Sequence, residues 1–203
     1  EPYKKQSFTE YLRNTWVSIN KRDVWALFVI NILVFIILYG SLLTFFPLFL
    51  EENFQANAFQ IGMARSVMSV ITAFISAQLG KLSRRFSSRT LLISSALSYL
   101  LSMLIIPFSY SWIMIIIAII FFAIGHGLLL PNIFNLLVGY ATINERAGFM
   151  SINSMVLRIG QTVGPLFVAL VYSLGGLNAT FFAGAGVAGL MILIILTMIS
   201  KNK

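Results

Sequence analysis

Cysteine is absent from this chain, histidine occurs once, and charged side chains make up only 10% of its 203 residues. Without thiols there is no disulfide framework and no thiolate metal site, and one imidazole does not build a transition-metal site. No metal or cofactor is expected. Acids are scarcer than bases, six Asp and Glu against fourteen Lys and Arg, for a formal charge of +8. In a soluble protein that excess would point to nucleic acid. Here the cations sit in short segments between apolar runs, so they read as membrane topology and no nucleic-acid partner is expected. The remainder is 59% hydrophobic with a mean hydropathy of +0.91, more than the surface of a water-soluble domain of this size tolerates. The composition predicts an all-α integral membrane protein with the lipid bilayer as its first partner. The chain opens on Glu1 and carries no cleavable signal sequence, which suggests a piece of a longer polypeptide.

Six apolar runs are legible, at residues 24–50, 58–79, 90–109, 112–139, 149–173 and 179–200. Each is long enough to cross a hydrocarbon core of roughly 30 Å as a helix. Residues 1–23 precede them as a basic linker or a helix lying on the membrane surface, with Phe8, Leu12 and Trp16 at four-residue spacing. Residues 201–203 form a short basic tail. Glu51, Glu52 and Asn53 read as an aqueous turn, and Gly175-Gly176 with Asn178 as another. Six spans put both termini on one side. On that assignment twelve of the fourteen Lys and Arg fall on the side of the termini and none in the opposite turns. Lys and Arg collect on the cytoplasmic side, so both termini are expected there, in a multi-pass plasma (inner) membrane protein.

The stretch between the second and third runs, with Gly80, Lys81, Leu82, Arg84, Arg85 and Arg89, resembles the cytoplasmic loop motif of the major facilitator superfamily, G-x-L-a-D-R-x-G-R-K. Glu145-Arg146 with Gly148, followed by Arg158, Gly160, Gln161, Gly164 and Pro165, is similar to that family's turn between the tenth and eleventh helices and its Gly-Pro eleventh helix. The resemblance covers essentially the whole chain. It implies a carboxyl-terminal six-helix half-transporter bundle of two inverted three-helix repeats, whose partner is the amino-terminal six-helix half of the same transporter or a second copy. Two positions depart from the pattern, Arg84 where the family has an acid and Ser87 where it has glycine. An ion pair made by that acid in relatives cannot form here.

Polar groups inside the apolar runs are the candidate machinery. The resemblance sets the first and fourth runs against a central cavity, which makes Asn31, Tyr39, Thr44, His126, Asn132 and Asn135 candidate lining residues. Arg158 and Gln161 join them on the fifth run. A mid-membrane arginine costs at least ~2.5 kcal/mol on insertion scales, so Arg158 either meets a substrate's negative or polar group in a watery cavity or hydrogen-bonds helix carbonyls. His126 lies between Gly125 and Gly127; an imidazole, whose unperturbed pKa is about 6.5, suits a proton pathway, or else it bonds between helices as a neutral ring. Arg65 reads as snorkelling to the outer face. Gly160, Gly164 and Pro165 read as packing and bending residues. No Asp or Glu lies inside any run.

These features predict a secondary active transporter working by alternating access, with proton-coupled efflux of small hydrophobic compounds as the specific expectation. A sugar or organic-acid facilitator of the same fold is one alternative, and a non-transporting assembly partner or receptor is another. An intramembrane hydrolase lacks support, because no serine in the runs carries a recognisable nucleophile motif.

Overall fold

The computed structural model describes residues 19–200, and within them every regular element is helical. Helix α1 spans Arg22–Phe35, passes without a break into a π-helical stretch at Ile36–Phe45, and continues as α2 at Phe46–Phe54. Helix α3 covers Ala58–Leu82, α4 covers Ser88–Ile105 and closes in a 3-10 turn at Ile106–Phe108, α5 covers Trp112–Tyr140, and α6 covers Arg146–Met198. Taking Arg22–Phe54 as one, five of these are long and apolar enough to cross a membrane. In lipid the backbone has no water to bond, and a helix satisfies it internally. Residues 1–18 of the linker, with Phe8, Leu12 and Trp16, and the tail at 201–203 lie outside the described residues, while Arg22 and Asp23, expected to end the linker, already belong to α1.

Side-chain caps set the helix starts. Asn57 and Gln60 exchange side-chain and backbone bonds at the head of α3 in a capping box, while Ser87 and Ser111 accept from the amides of Thr90 and Met114 at the heads of α4 and α5. Ser87, one of the two departures from the family pattern, thus satisfies an amide that a glycine there would leave to water. The expected turn at Glu51–Asn53 is corrected: α2 carries those residues in helix, and the chain turns at Gln55, which adopts a left-handed conformation at φ 51°. The acidic pair is exposed, so one more aqueous helical turn costs it nothing.

At 53 residues α6 would run about 80 Å if straight, more than twice the hydrocarbon thickness. It is not straight. Gly176 takes φ 74°, ψ −170°, a conformation that glycine adopts without a Cβ clash. Before it, contacts with the first span rise together: Asn31 meets Asn153 and Phe45 meets Tyr172. Beyond it they run the other way, Ser41 bonding the Thr180 carbonyl and Arg22 the Thr197 carbonyl. The chain doubles back at Gly176.

The first span sits at the centre, packed against both limbs of α6, while α4 packs on α5 and on α6. Tyr99, Phe49, Phe122, Phe149 and Phe181 fill the interior. The second long helix along the chain, α3, leans almost wholly on α5 and buries only Leu79 of its 25 residues. One end of the bundle gathers the start of α1, the start of α4 and the ends of α5 and α6. There Arg22 and Arg89 donate to the Thr197 and Leu196 carbonyls at 2.6 and 2.7 Å, and Asp23 accepts from the Tyr140 hydroxyl and, at 3.3 Å, from the Ser200 amide. Guanidinium groups on a helix's last carbonyls satisfy the acceptors and oppose the negative end of its dipole. Phe54 against Trp112 and Phe108 against Phe182 mark the other end.

Candidate functional site

The first span and the early part of α6 approach each other closely. Gly160 and Gly164 are spaced as G-x-x-x-G, and small residues at that spacing let two backbones meet. A Cβ on Gly160 would lie 2.6 Å from the Ile32 carbonyl oxygen, and one on Gly40 would lie 2.8 Å from the Gly164 carbonyl oxygen. Gly40 belongs to the π-helical stretch, where the Thr44 hydroxyl donates to the Tyr39 carbonyl five residues back at 2.7 Å. Pro165 follows Gly164 within helical backbone, and the helix passes through it.

Asn31, next to Ile32 on the first span, meets Asn153, two turns before Gly160 on α6: Asn31 Nδ2 donates to Asn153 Oδ1 at 2.7 Å, and both side chains are fully enclosed. Asn31 Oδ1 has no hydrogen-bond partner. Asn31 therefore joins the first span to α6 and faces no open space. Interhelical polar pairs in lipid average about 0.6 kcal/mol and reach about 2. Asn31→Ala should lower stability in micelles by that range, as read from a denaturation midpoint, and Asn31→Leu combined with Asn153→Leu should restore most of it.

The other lining candidates separate. The hydroxyl of the buried Tyr99 on α4 and His126 Nδ1 on α5 are 2.6 Å apart, and the imidazole stacks on Phe122 at 5.8 Å, so His126 is turned toward α4. Gly125 allows this by letting α5 approach Ser95 and Tyr99. Asn132 Nδ2 also reaches α4, donating to the Ser88 carbonyl at 2.9 Å. Asn135 stands nine residues from His126, on the opposite side of the helix at about 100° per residue, and is exposed. Tyr39 is half-buried and stacks on Phe35, while Thr44 is exposed.

Arg158 projects about 160° around α6 from Gly160, away from the first span. It is exposed, and no hydrogen bond or ion pair reaches it among the described residues. Ser151, Ser154 and Thr162, all exposed, and the half-buried Gln161 share its side of the helix, in an arc of about 100°. The neighbouring sector carries exposed Ile159, Val163, Leu166 and Leu170. The outside of this limb is thus part polar and part apolar. Helix α3 has a similar division, with Gly62, Ser66, Ser69, Ala73 and Ala77 along one exposed face and Met63, Val67, Val70 and Phe74 along the next. Arg65 does not snorkel outward: its Nη2 donates to the Leu43 carbonyl of the first span at 2.7 Å.

Within the basic loop, Gly80, Lys81, Arg84 and Arg85 are exposed and Leu82 is half-buried beside Leu79. Only Arg89 turns inward, to the end of α6. The loop motif and the lining candidates therefore form no single cluster. Sequence reasoning missed Asn153, Tyr99 and the Asp23–Tyr140 bond. A buried asparagine or histidine in a membrane helix demands a polar partner, and that demand was the available signal, although it does not say which of several distant polar residues answers it.

Comparison with known proteins gives a consistent picture. Residues 25–203 match the family model described as Major Facilitator Superfamily. Two Escherichia coli strains carry similar proteins named multidrug resistance protein MdtG, one 31% identical over 183 residues and the other 33% identical over 174. The alignments cover 87% and 83% of this chain but only 44% and 42% of those relatives, so the chain spans less than half their length. A crystal structure of the human organic anion transporter MFSD10 superposes with a TM-score of 0.72 at 19% identity, over 84% of this chain and 40% of that one. At that identity the likeness speaks for the fold alone.

Proposed function

Because the chain belongs to the major facilitator superfamily, a family of membrane transporters and not of enzymes, we propose that it is the carboxyl-terminal six-span half of a secondary active exporter of small hydrophobic compounds, driven by protons. The two limbs of α6 on either side of Gly176 supply the fifth and sixth spans, and with the first four they make two three-helix repeats. The amino-terminal half of the same transporter, or a second copy, is the partner. The observation that carries this reading is the polar arc around Arg158, exposed beside an apolar sector of the same helix. A charge facing lipid at mid-span is costly, whereas a charge facing a companion bundle across a watery cleft is not. Export is favoured over uptake by the relatives named for multidrug resistance.

No carboxylate lies within the helical spans between their ends, so the proton-carrying acid of this reading belongs to the companion half. Both termini and the Gly80–Arg89 loop face the cytoplasm of the inner membrane. Single cysteines at Lys81 and Glu51 should then react with impermeant maleimide from opposite sides, 81 only in inverted vesicles and 51 only in right-side-out ones. Labelling of both from one side would defeat the topology. For function, the full-length polypeptide in proteoliposomes should move a lipophilic dye down an imposed proton gradient and stop when a protonophore is added. Absence of gradient-dependent flux would defeat the exporter.

A further inference from the structure

The turn between α3 and α4 is tightly wound. The amides of Arg85 and Phe86 both donate to the Leu82 carbonyl, at 3.0 and 2.9 Å, and the Ser83 hydroxyl donates to the Gly80 carbonyl at 3.2 Å, which gives the turn a set shape. Lys81, Arg84 and Arg85 stand exposed on it. Arg89 is held by the end of α6, but no hydrogen bond or ion pair reaches those three cations among the described residues. The turn has no acid of its own, since Arg84 stands where the family pattern has one. The acids at this end of the bundle are engaged elsewhere: Asp23 accepts from Tyr140 and Ser200, and the buried Glu145 accepts from the Thr142 amide.

Such a cluster attracts an anion, and its height in the bilayer decides which kind. Helix α3 has 25 residues and is about 37 Å long, so crossing a hydrocarbon core of roughly 30 Å leaves its last turn among the lipid phosphates. Phe86, 49% exposed among the cations, is a side chain that lipid covers better than water does. Lys81 also tops an apolar strip. Phe74 and Val70 precede it by seven and eleven residues, which sets all three within about 40° around α3 and the two apolar side chains about 10 and 16 Å deeper. They are 65% and 69% exposed, while Gly62, Ser66, Ser69, Ala73 and Ala77 take the neighbouring face. Each leaflet supplies about 15 Å of hydrocarbon, so a chain whose head rests at Lys81 covers both.

We infer that this turn and the strip beneath it bind an anionic phospholipid of the adjoining leaflet, with its phosphate and headgroup on Lys81, Arg84 and Arg85 and one acyl chain along Phe74 and Val70. Guanidinium forks take phosphate oxygens in pairs, and the ammonium adds a point charge. An acidic protein segment would satisfy the cations and leave the strip bare. The site is independent of what the transporter carries.

The test uses the full-length polypeptide with Phe86→Trp, which puts a fluorophore in the turn, in phosphatidylcholine vesicles containing a phospholipid brominated near the head of its chains. Subtracting the quenching of the parent protein isolates the new ring, and relative affinity is read as the brominated lipid's fraction rises. Brominated phosphatidylglycerol should bind at least about fivefold better than brominated phosphatidylcholine, which is what one cation supplies at a membrane surface. Changing Lys81, Arg84 and Arg85 together to Gln should remove the preference, while Arg146→Gln, at an exposed cation of the same end, should keep it within about twofold. Glycerol phosphate in solution should not displace the lipid. Equal affinities would overturn the inference and leave the cations to a protein partner. A preference that survives the triple substitution, or that falls as far with Arg146→Gln, would overturn it too, as a property of the whole surface. Displacement by glycerol phosphate would overturn the lipid in favour of a site for phosphate alone.

Discussion

Gly160→Val should leave almost no folded protein. The added Cβ would sit 2.6 Å from the Ile32 carbonyl oxygen and 2.7 Å from Phe35 Cβ. Neither neighbour is the free end of a flexible side chain, so the helices must separate. Separation also opens the contacts of Gly164 with Ile36 and of Gly40 with Gly164 and Val168, because all three glycines lie on one seam. Overpacking at one site typically costs 1–3 kcal/mol, and a rigid shift along a whole seam costs more. In membranes association rests on such packing, without a hydrophobic drive between helices. The monodisperse peak of detergent-purified protein should fall to roughly a tenth of wild type. Gly62→Val and Gly186→Val provide the controls, since a Cβ at either meets nothing within 4 Å. Wild-type yield for Gly160→Val would mean that the seam is looser than described.

The second large effect is on transport. Arg158→Gln should keep normal yield in the full-length polypeptide, because no hydrogen bond or ion pair holds the side chain among the described residues. Flux should fall by at least about tenfold if the charge meets substrate across the cleft, an interaction equivalent to about 1.4 kcal/mol or more in the rate. Initial rates at saturating and limiting substrate separate weaker binding from slower turnover. Normal flux at normal yield would remove Arg158 from the substrate path. Normal flux with lowered yield would assign it to contact with the companion bundle.

Membrane character was legible from composition, and the first four apolar runs each fall in one long helix, while the last two share a single helix with its kink at Gly176. Helix ends were less legible. Glu51 and Glu52 look like a turn because they are charged, yet an exposed helical turn in water accommodates charge freely, and the break comes at Gln55. Ser87 looks like a lapse from a family pattern until its hydroxyl is seen to cap α4. Among the candidate residues, the G-x-x-x-G spacing was visible, but its opposing glycine was not, since Gly40 lies 120 residues earlier in the chain. Asn31 and His126 read as candidate lining residues in the sequence, and each instead bonds a polar group across the bundle. Their partners, Asn153 and Tyr99, sit on other helices, and hydropathy gives no azimuth for a helix that is apolar nearly all round. Arg65 shows the reverse case: stem length and nearness to an end suggested escape to water, whereas a carbonyl on the adjacent span was nearer.

The polar ring at one end of the bundle has a bearing on synthesis. Arg22 is among the first described residues to leave the ribosome, and its acceptor on Thr197 follows 175 positions later. Asp23 likewise waits for Ser200, 177 positions on. Until the last limb of α6 enters the bilayer, the Arg22 guanidinium lacks the Thr197 carbonyl, while Asp23 already has the Tyr140 hydroxyl, 117 positions on. This end of the bundle must therefore stay ajar until residues 196 and 197 are made, and truncation before Leu196 would leave Arg22 and Arg89 without those two carbonyls.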